Sequence, residues 1–189
     1  MLLIYVLDIL LRLRFCINKP VDIDVLDKDG KPISRQDCGR KNRKCFVCDN
    51  DAKECSSKHS HSDDEIKKAI EKYYEKALCF KCLGLCANAL LTEAHCTPKP
   101  GLVDEKHNGS HKDMNIDLFE RSATVLIPFF SKFTQCGIEK KSFEDLRALG
   151  KQAEEAMFKE TGNINTHQGA IFSMSLICYA IGFLDSFNV

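Results

Sequence analysis

A change of pattern at Ser62 constrains this chain more than any other feature of its sequence. Before it, residues 21–62 carry no long apolar period, and turn signals (Asp29-Gly30, Lys31-Pro32, Asp49-Asn50) recur among cysteines, arginines and lysines. Such a stretch predicts short strands and loops. Val21, Ile23 and Val25 alternate with Asp22, Asp24 and Leu26, which suits one strand ending at the Asp-Gly turn. After Ser62 the apolar residues return at helical steps. Ser62-Asp63-Asp64-Glu65 has the form of a capping box, followed by Ile66, Ala69, Ile70, Tyr73 and Ala77 at three- and four-residue spacing. The expected fold is mainly α: a partial helical bundle over residues 63–189, preceded by a small, irregular, Cys-rich α+β segment over residues 1–62.

Three further helices are expected. One spans about residues 116–135, with Pro128 set to kink or split it, and one follows Ser142 to about Thr161 and is stopped by Gly162. The last runs from about Gln168 to Phe183. Its uncharged stretch, residues 169–184, is shorter than the roughly 18 residues of a membrane span and reads as a buried core helix. The opening residues 1–15 are apolar but contain Asp8, Arg12 and Arg14, and are too short to span a bilayer. They carry no basic stretch and no small-residue cleavage site of a signal peptide. Equal numbers of basic and acidic side chains, 27 each, exclude a global field for nucleic acid or an anionic membrane, so any anion site is local. Eleven cysteines, an odd number at helical or chelating spacings, point to reduced thiols in the cytoplasm. Cys79, Cys82 and Cys86 share one helical face and read as small buried hydrophobes.

Polar clusters interrupt the helical half: Thr97-Pro98-Lys99-Pro100-Gly101-Leu102-Val103-Asp104, then Asn108-Gly109-Ser110-His111-Lys112-Asp113-Met114, then Asn163-Ile164-Asn165-Thr166-His167-Gln168-Gly169-Ala170. Residues 97–115 form a long irregular segment, the kind that is usually functional inside a compact domain. The third cluster directly precedes the most hydrophobic helix, so its free amides and positive dipole end suit a phosphate. Lys99 lies between two prolines that restrict the neighbouring backbone. Asp104, His111, Asp113 and Glu154 offer magnesium ligation or proton transfer. Each cluster alone also reads plainly: Asn165 and Thr166 as helix caps, Lys99-Pro100-Gly101 as a turn, His111 as a loop histidine, Glu154 as a solvated face. Their concentration within about seventy residues favours one composite site.

The series TPKPGLVD, NGSHKDM, RSATVLIPFF, GKQAEEAM and TGNINTHQGAIFS resembles, in order and spacing, the motifs of the triphosphoribosyl-dephospho-CoA synthase family. The resemblance implies an all-helical fold and a transferase that joins ATP to 3'-dephospho-CoA with release of adenine, making the precursor of the citrate lyase prosthetic group. A sister branch serves malonate decarboxylase. The reaction passes through an oxocarbenium-like state and needs a base for the attacking hydroxyl, an acid for adenine and cations on the triphosphate. By the resemblance, Lys99, Gly101, Asn165, Thr166 and His167 bind ATP phosphates, Asp104 and Asp113 bind Mg2+, and His111, Asp113 and Glu154 carry the catalysis. Where the family shows a second glycine and a lysine around Asn-Thr-His, this chain has Asn163 and Gln168. Family members also continue well beyond this chain's end, which implies that only the amino-terminal part of the synthase is present.

In the first half, the run from Val21 to Asp27, the turn at Asp29-Gly30, and Arg43-Lys44-Cys45-Phe46-Val47-Cys48 with Cys55, His59 and His61 are similar to the carboxy-terminal end of citrate lyase holo-acyl-carrier-protein synthase. This resemblance implies a fusion of the two enzymes, a second activity involving Asp22, Asp24 and Arg35, and the lyase acyl carrier subunit as a partner. Asp22, Asp24 and Asp27 suit magnesium, and Arg35, Arg40, Lys41, Arg43 and Lys44 form a basic patch suited to polyphosphate or a solvated loop. Cys45-x2-Cys48 with Cys55 and then His59 or His61 has zinc-ligand spacing; Cys45, Cys48, Cys55 and His61 are the candidate Zn2+ set, with free thiols as the alternative. Two rivals stand beside the transferase: a zinc ribbon carrying a helical interaction module without catalysis, and an inactive fragment.

Overall fold

A computed structural model describes residues 26–186. It contains five helices among those residues, here α1 (Ala52–Ser57), α2 (Asp63–His95), α3 (Ile116–Ile138), α4 (Phe143–Thr161) and α5 (Gln168–Asp185). The mainly helical class expected from the sequence is what the structure has. The chain divides into two compact units after Lys76, a position inside α2. The strand over residues 21–25 and the apolar opening lie outside the described residues.

Each helix begins and ends for local reasons. At α2, the Ser62 amide donates to Glu65 Oε2 at 2.9 Å and the Glu65 amide donates back to Ser62 Oγ at 3.3 Å, a reciprocal box that satisfies orphan amides. At α3, Asn115 accepts from the Leu118 amide. At α4, Ser142 and Asp145 form a second box, and Gly162 closes the helix in the left-handed conformation at φ 66°. Asn163 follows at φ 69° and donates its amide to the Phe158 carbonyl. Pro128 does not split α3. Leu126, Phe130 and Phe133 on either side of it are fully buried, and their packing outweighs the roughly 3 kcal/mol that an interior proline costs.

In the second unit, α3 packs against α4 and α5, and α4 against α5. The core contains Leu126, Phe130, Phe133, Met157, Ile171 and Cys178, with Cys82 and Leu90 from α2 joining it. Cys79 and Cys82 are buried as expected; Cys86 is half-buried, with its sulfur 3.5 Å from that of Cys178. Helices α3 and α5 meet at both ends. Near their carboxyl ends a Cβ on Gly137 would strike the Tyr179 carbonyl, and one on Gly182 the Thr134 carbonyl. Near their amino ends Ser122 meets Thr166 and His167. The intervals 122–137 and 167–182 are equal, so the helices lie side by side, parallel and in register.

The expectation of a wholly buried α5 needs correction. Ile171, Ser175, Cys178 and Gly182 face the core, but Phe172, Ile177 and Leu184 are 66%, 57% and 62% exposed. Helices α2 and α5 are, among the described residues, those long and apolar enough to cross a membrane by length and composition.

In the first unit, residues 26–62 hold no strand; pairing is limited to isolated bridges between Leu26 and Pro32 and between Lys44 and Asp51. The Asp-Gly turn forms as expected, with Asp27 Oδ1 accepting from the amides of Asp29 and Lys31 and Gly30 at φ 77°.

Candidate functional site

The segment between α2 and α3 is ordered around one carboxylate. Asp104 is 2% exposed. Its Oδ2 accepts from the Thr97 hydroxyl at 2.9 Å and the Lys99 amide at 3.1 Å. Its Oδ1 accepts from the amides of Lys106 and His107 at 2.8 and 3.0 Å and lies 2.9 Å from His107 Nδ1. Burial alone would raise its pKa, but the donors, led by the Lys99 and Lys106 amides, outweigh it and hold the carboxyl well below the usual range. Four definite donors, from Thr97, Lys99, Lys106 and His107, occupy its two oxygens. Asp104 thus braces the loop. The next turn folds back on this one: the Ser110 amide donates to the Gly101 carbonyl, and Gly109, at φ 59°, sits so close that a Cβ would overlap the backbone of Gly101 and Leu102. The first two polar clusters are thereby joined backbone to backbone.

The third cluster enters from the other side of the sequence. His167, 5% exposed, is held at three points. Its Nδ1 lies 2.8 Å from Ser122 Oγ, which in turn is 2.6 Å from Thr166 Oγ1. Its amide donates to the Met157 sulfur at 3.2 Å. The Phe119 ring stands edge-on to it, with centroids 5.0 Å apart. The other ring nitrogen, Nε2, is shut from solvent and has no hydrogen-bond partner. Burial lowers the imidazole pKa to about 4, and the charges of Glu93 and Lys99 act on it in opposite directions, so it is neutral at neutral pH.

Lys99 is held against the end of α2. Its side chain is 12% exposed, and its Nζ donates to the Glu93 carbonyl at 2.7 Å and to Glu93 Oε1 at 3.0 Å. The end of α2 is fixed by a further clamp: His95 bonds Glu105 through Nδ1 at 2.7 Å and Glu120 through Nε2 at 2.8 Å. Hydrogen bonding to Glu105 is the main cause of its raised pKa.

The remaining candidates fall as follows. Asn165 is exposed; its Oδ1 accepts the Gln168 amide and its Nδ2 donates to Gln168 Oε1, so it serves α5 as a cap. Asp113 is exposed and His111 half-buried on the loop, and Glu154 is half-buried on α4, one turn before Met157. Arg35 is exposed and donates its Nε to the Lys41 carbonyl. Asp22 and Asp24 lie outside the described residues. Glu93 and Ser122 are site residues that the motif reading passed over. Ser122 stands inside RSATVLIPFF, and only its spacing along the apolar face of α3 marks it as inward.

In the first unit, Cys45, Cys48, Cys55 and His61 are brought together, with their ligand atoms all within 4.8 Å of one another. His59 is exposed and takes no part.

Comparison with known proteins places the second unit in a family. Residues 81–187, more than half of the chain, match the family described as ATP:dephospho-CoA triphosphoribosyl transferase, CitG. The chain belongs to this family. The CitG resemblance carried by the motifs from Thr97 to Ser173 therefore holds at family level. Residues 15–77 match a second family, CitX, described as apo-citrate lyase phosphoribosyl-dephospho-CoA transferase. "Protein CitXG" of Haemophilus influenzae is 44% identical over 85% of this chain and 36% of that protein. The "Protein CitXG" of Leuconostoc mesenteroides subsp. cremoris is 33% identical over 88% of this chain and 39% of its own length. The "2-(5''-triphosphoribosyl)-3'-dephosphocoenzyme-A synthase" of Haemophilus ducreyi is 43% identical over 72% of this chain and 44% of its length. The chain thus spans well under half the length of these relatives. No solved structure matches it.

Proposed function

We propose that this CitG-family chain contributes the triphosphate-binding half of a transferase that joins ATP to 3'-dephospho-CoA, releases adenine and makes the precursor of the citrate lyase prosthetic group. The observation that carries the reading is the buried His167 at the start of α5, whose Nε2 is shut from solvent without a partner, in a unit whose first polar loop holds Lys99 against Glu93 at 3.0 Å. A buried neutral imidazole with an unpartnered nitrogen, and a lysine paired with a carboxylate, suit an anion that takes over the ammonium on arrival. One proton order satisfies every oxygen in the chain: Thr166 donates to Ser122, and Ser122 donates to His167 Nδ1. Nε2 then carries the hydrogen, and a phosphate oxygen is the acceptor it lacks. Asn165 and Thr166 set the first turn of α5 against that anion. His111 and Glu154 remain the candidates for moving protons, and Asp113 for holding Mg2+ on the triphosphate; Asp104 positions Lys99.

The reading extends to a fusion in which the CitX-like segment is the end of an enzyme attaching the finished group to the lyase acyl carrier subunit, working in the cytoplasm. Adenine release from ATP and 3'-dephospho-CoA, measured for this chain and for one extended by the corresponding region of its relatives, tests it. Release by the extended chain, and its loss of at least about tenfold in kcat/KM on Lys99→Met, is expected. An extended, folded chain that binds neither substrate would overturn the reading in favour of a zinc-bearing interaction module without catalysis.

A further inference from the structure

Residues 26–62 fold without an apolar core. Cys55 is the one buried residue among them, and Cys45, Cys48 and His61 are among the few half-buried ones; the large hydrophobics Leu26, Ile33 and Phe46 are exposed. A segment this small cannot hold its shape on so little burial, and metals commonly supply what is missing. We propose that Cys45, Cys48, Cys55 and His61 bind one structural Zn2+.

The geometry fits the ion. Ordinary zinc–thiolate and zinc–imidazole bonds set tetrahedral edges of about 3.8 Å between sulfurs and about 3.6 Å from sulfur to nitrogen. Cys48 Sγ lies 3.6 Å from Cys55 Sγ and 3.4 Å from His61 Nε2. A sulfur–sulfur separation of 3.6 Å is far beyond a disulfide bond. The Val47 amide donates to Cys45 Sγ at 3.5 Å, the turn by which a Cys-x2-Cys pair supports thiolates. The local fold delivers each ligand. The Cys45 amide donates to the Asn50 carbonyl and the Ala52 amide to the Arg43 carbonyl, closing the loop that carries Cys45 and Cys48. Helix α1 presents Cys55, and the chain leaves it through His59, at φ 47°, to bring His61 round just before the Ser62 cap of α2. Three thiolates and an imidazole fill the tetrahedron and leave no position for water or substrate, so the ion staples the loop, α1 and the start of α2 rather than catalysing.

The proposal does not depend on the transferase reading, because zinc content and adenine release are separate readouts. The full chain, purified under reducing conditions with zinc supplied, is expected to retain one equivalent of zinc after gel filtration. Cobalt in its place is expected to give the intense visible bands of a tetrahedral thiolate site. Cys48→Ser and His61→Ala should lose the metal, His61→Cys should recover it, and Cys38→Ser and Cys96→Ser should keep it. The helical signal of the second unit tells loss of metal from loss of fold. No zinc in the folded wild-type chain, a Cys48–Cys55 disulfide in its place, or zinc retained by Cys48→Ser would overturn the assignment.

Discussion

His167 and His95 answer to pH with opposite signs. His167 takes up its proton at about 4 when folded and near 6.5 when unfolded, so the unfolded chain gains protons first. Stability should therefore fall as pH drops from above 6.5 towards 4, by up to roughly 3 kcal/mol, and level off below. Urea titrations across that range check it: His167→Gln should flatten the slope, and an unchanged slope would refute the assignment. His95 has its pKa raised by Glu105 and Glu120, so its contribution is present below 6.5 and is lost as pH rises through the folded value. At Asn163 the backbone is left-handed. Asn163→Gly should be nearly neutral, whereas Asn163→Val should cost about 1–2 kcal/mol by thermal unfolding. The motif words drew attention to Lys99, Thr166 and His167, because polar clusters with glycine and proline stand out between apolar helices. The loop-bracing part of Asp104 was not legible, since a carboxylate that braces a loop looks like any other until its donors are seen. Glu93 and Ser122 belong to helices, where periodicity hides a site residue among ordinary ones.

Helix termini were the most legible elements. Ser62, Ser142 and Gly162 each fixed a boundary, because caps act within one turn and need no tertiary help. Pro128 does not split its helix for the converse reason: long-range packing of Leu126, Phe130 and Phe133 overrides a local preference. The close crossing of α3 and α5 was not legible at all, since two glycines 45 residues apart, Gly137 and Gly182, acquire meaning only when the helices meet. Gly182→Ala should destabilise the second unit by about 1–3 kcal/mol, as added atoms do in a packed core, even though alanine favours helix. A rise in Tm would show that the helices do not approach as described. Gly169→Ala, at the same helix but in open space, is the control and should be neutral or stabilising.

For the molecule as a whole, the mainly α class followed from periodicity, but the coverage of α5 did not, because hydropathy reports what a helix prefers and not what is available to cover it. Phe172, Ile177 and Leu184 form an outward apolar face on a helix whose other side is already in the core. A helix apolar all round belongs inside a larger body, and exposed patches of this kind attract partners. The double substitution Phe172→Lys with Ile177→Glu should reduce self-association in sedimentation and dye binding while leaving the circular dichroism of the helices intact. Ile171→Glu, on the inner side, should unfold the unit. If the outer pair unfolds it too, the face is already covered. The two sides of α5 also set rules for handling the protein: charge placed on the outer one makes it easier to keep in solution, whereas the same charge on the inner one would wreck it.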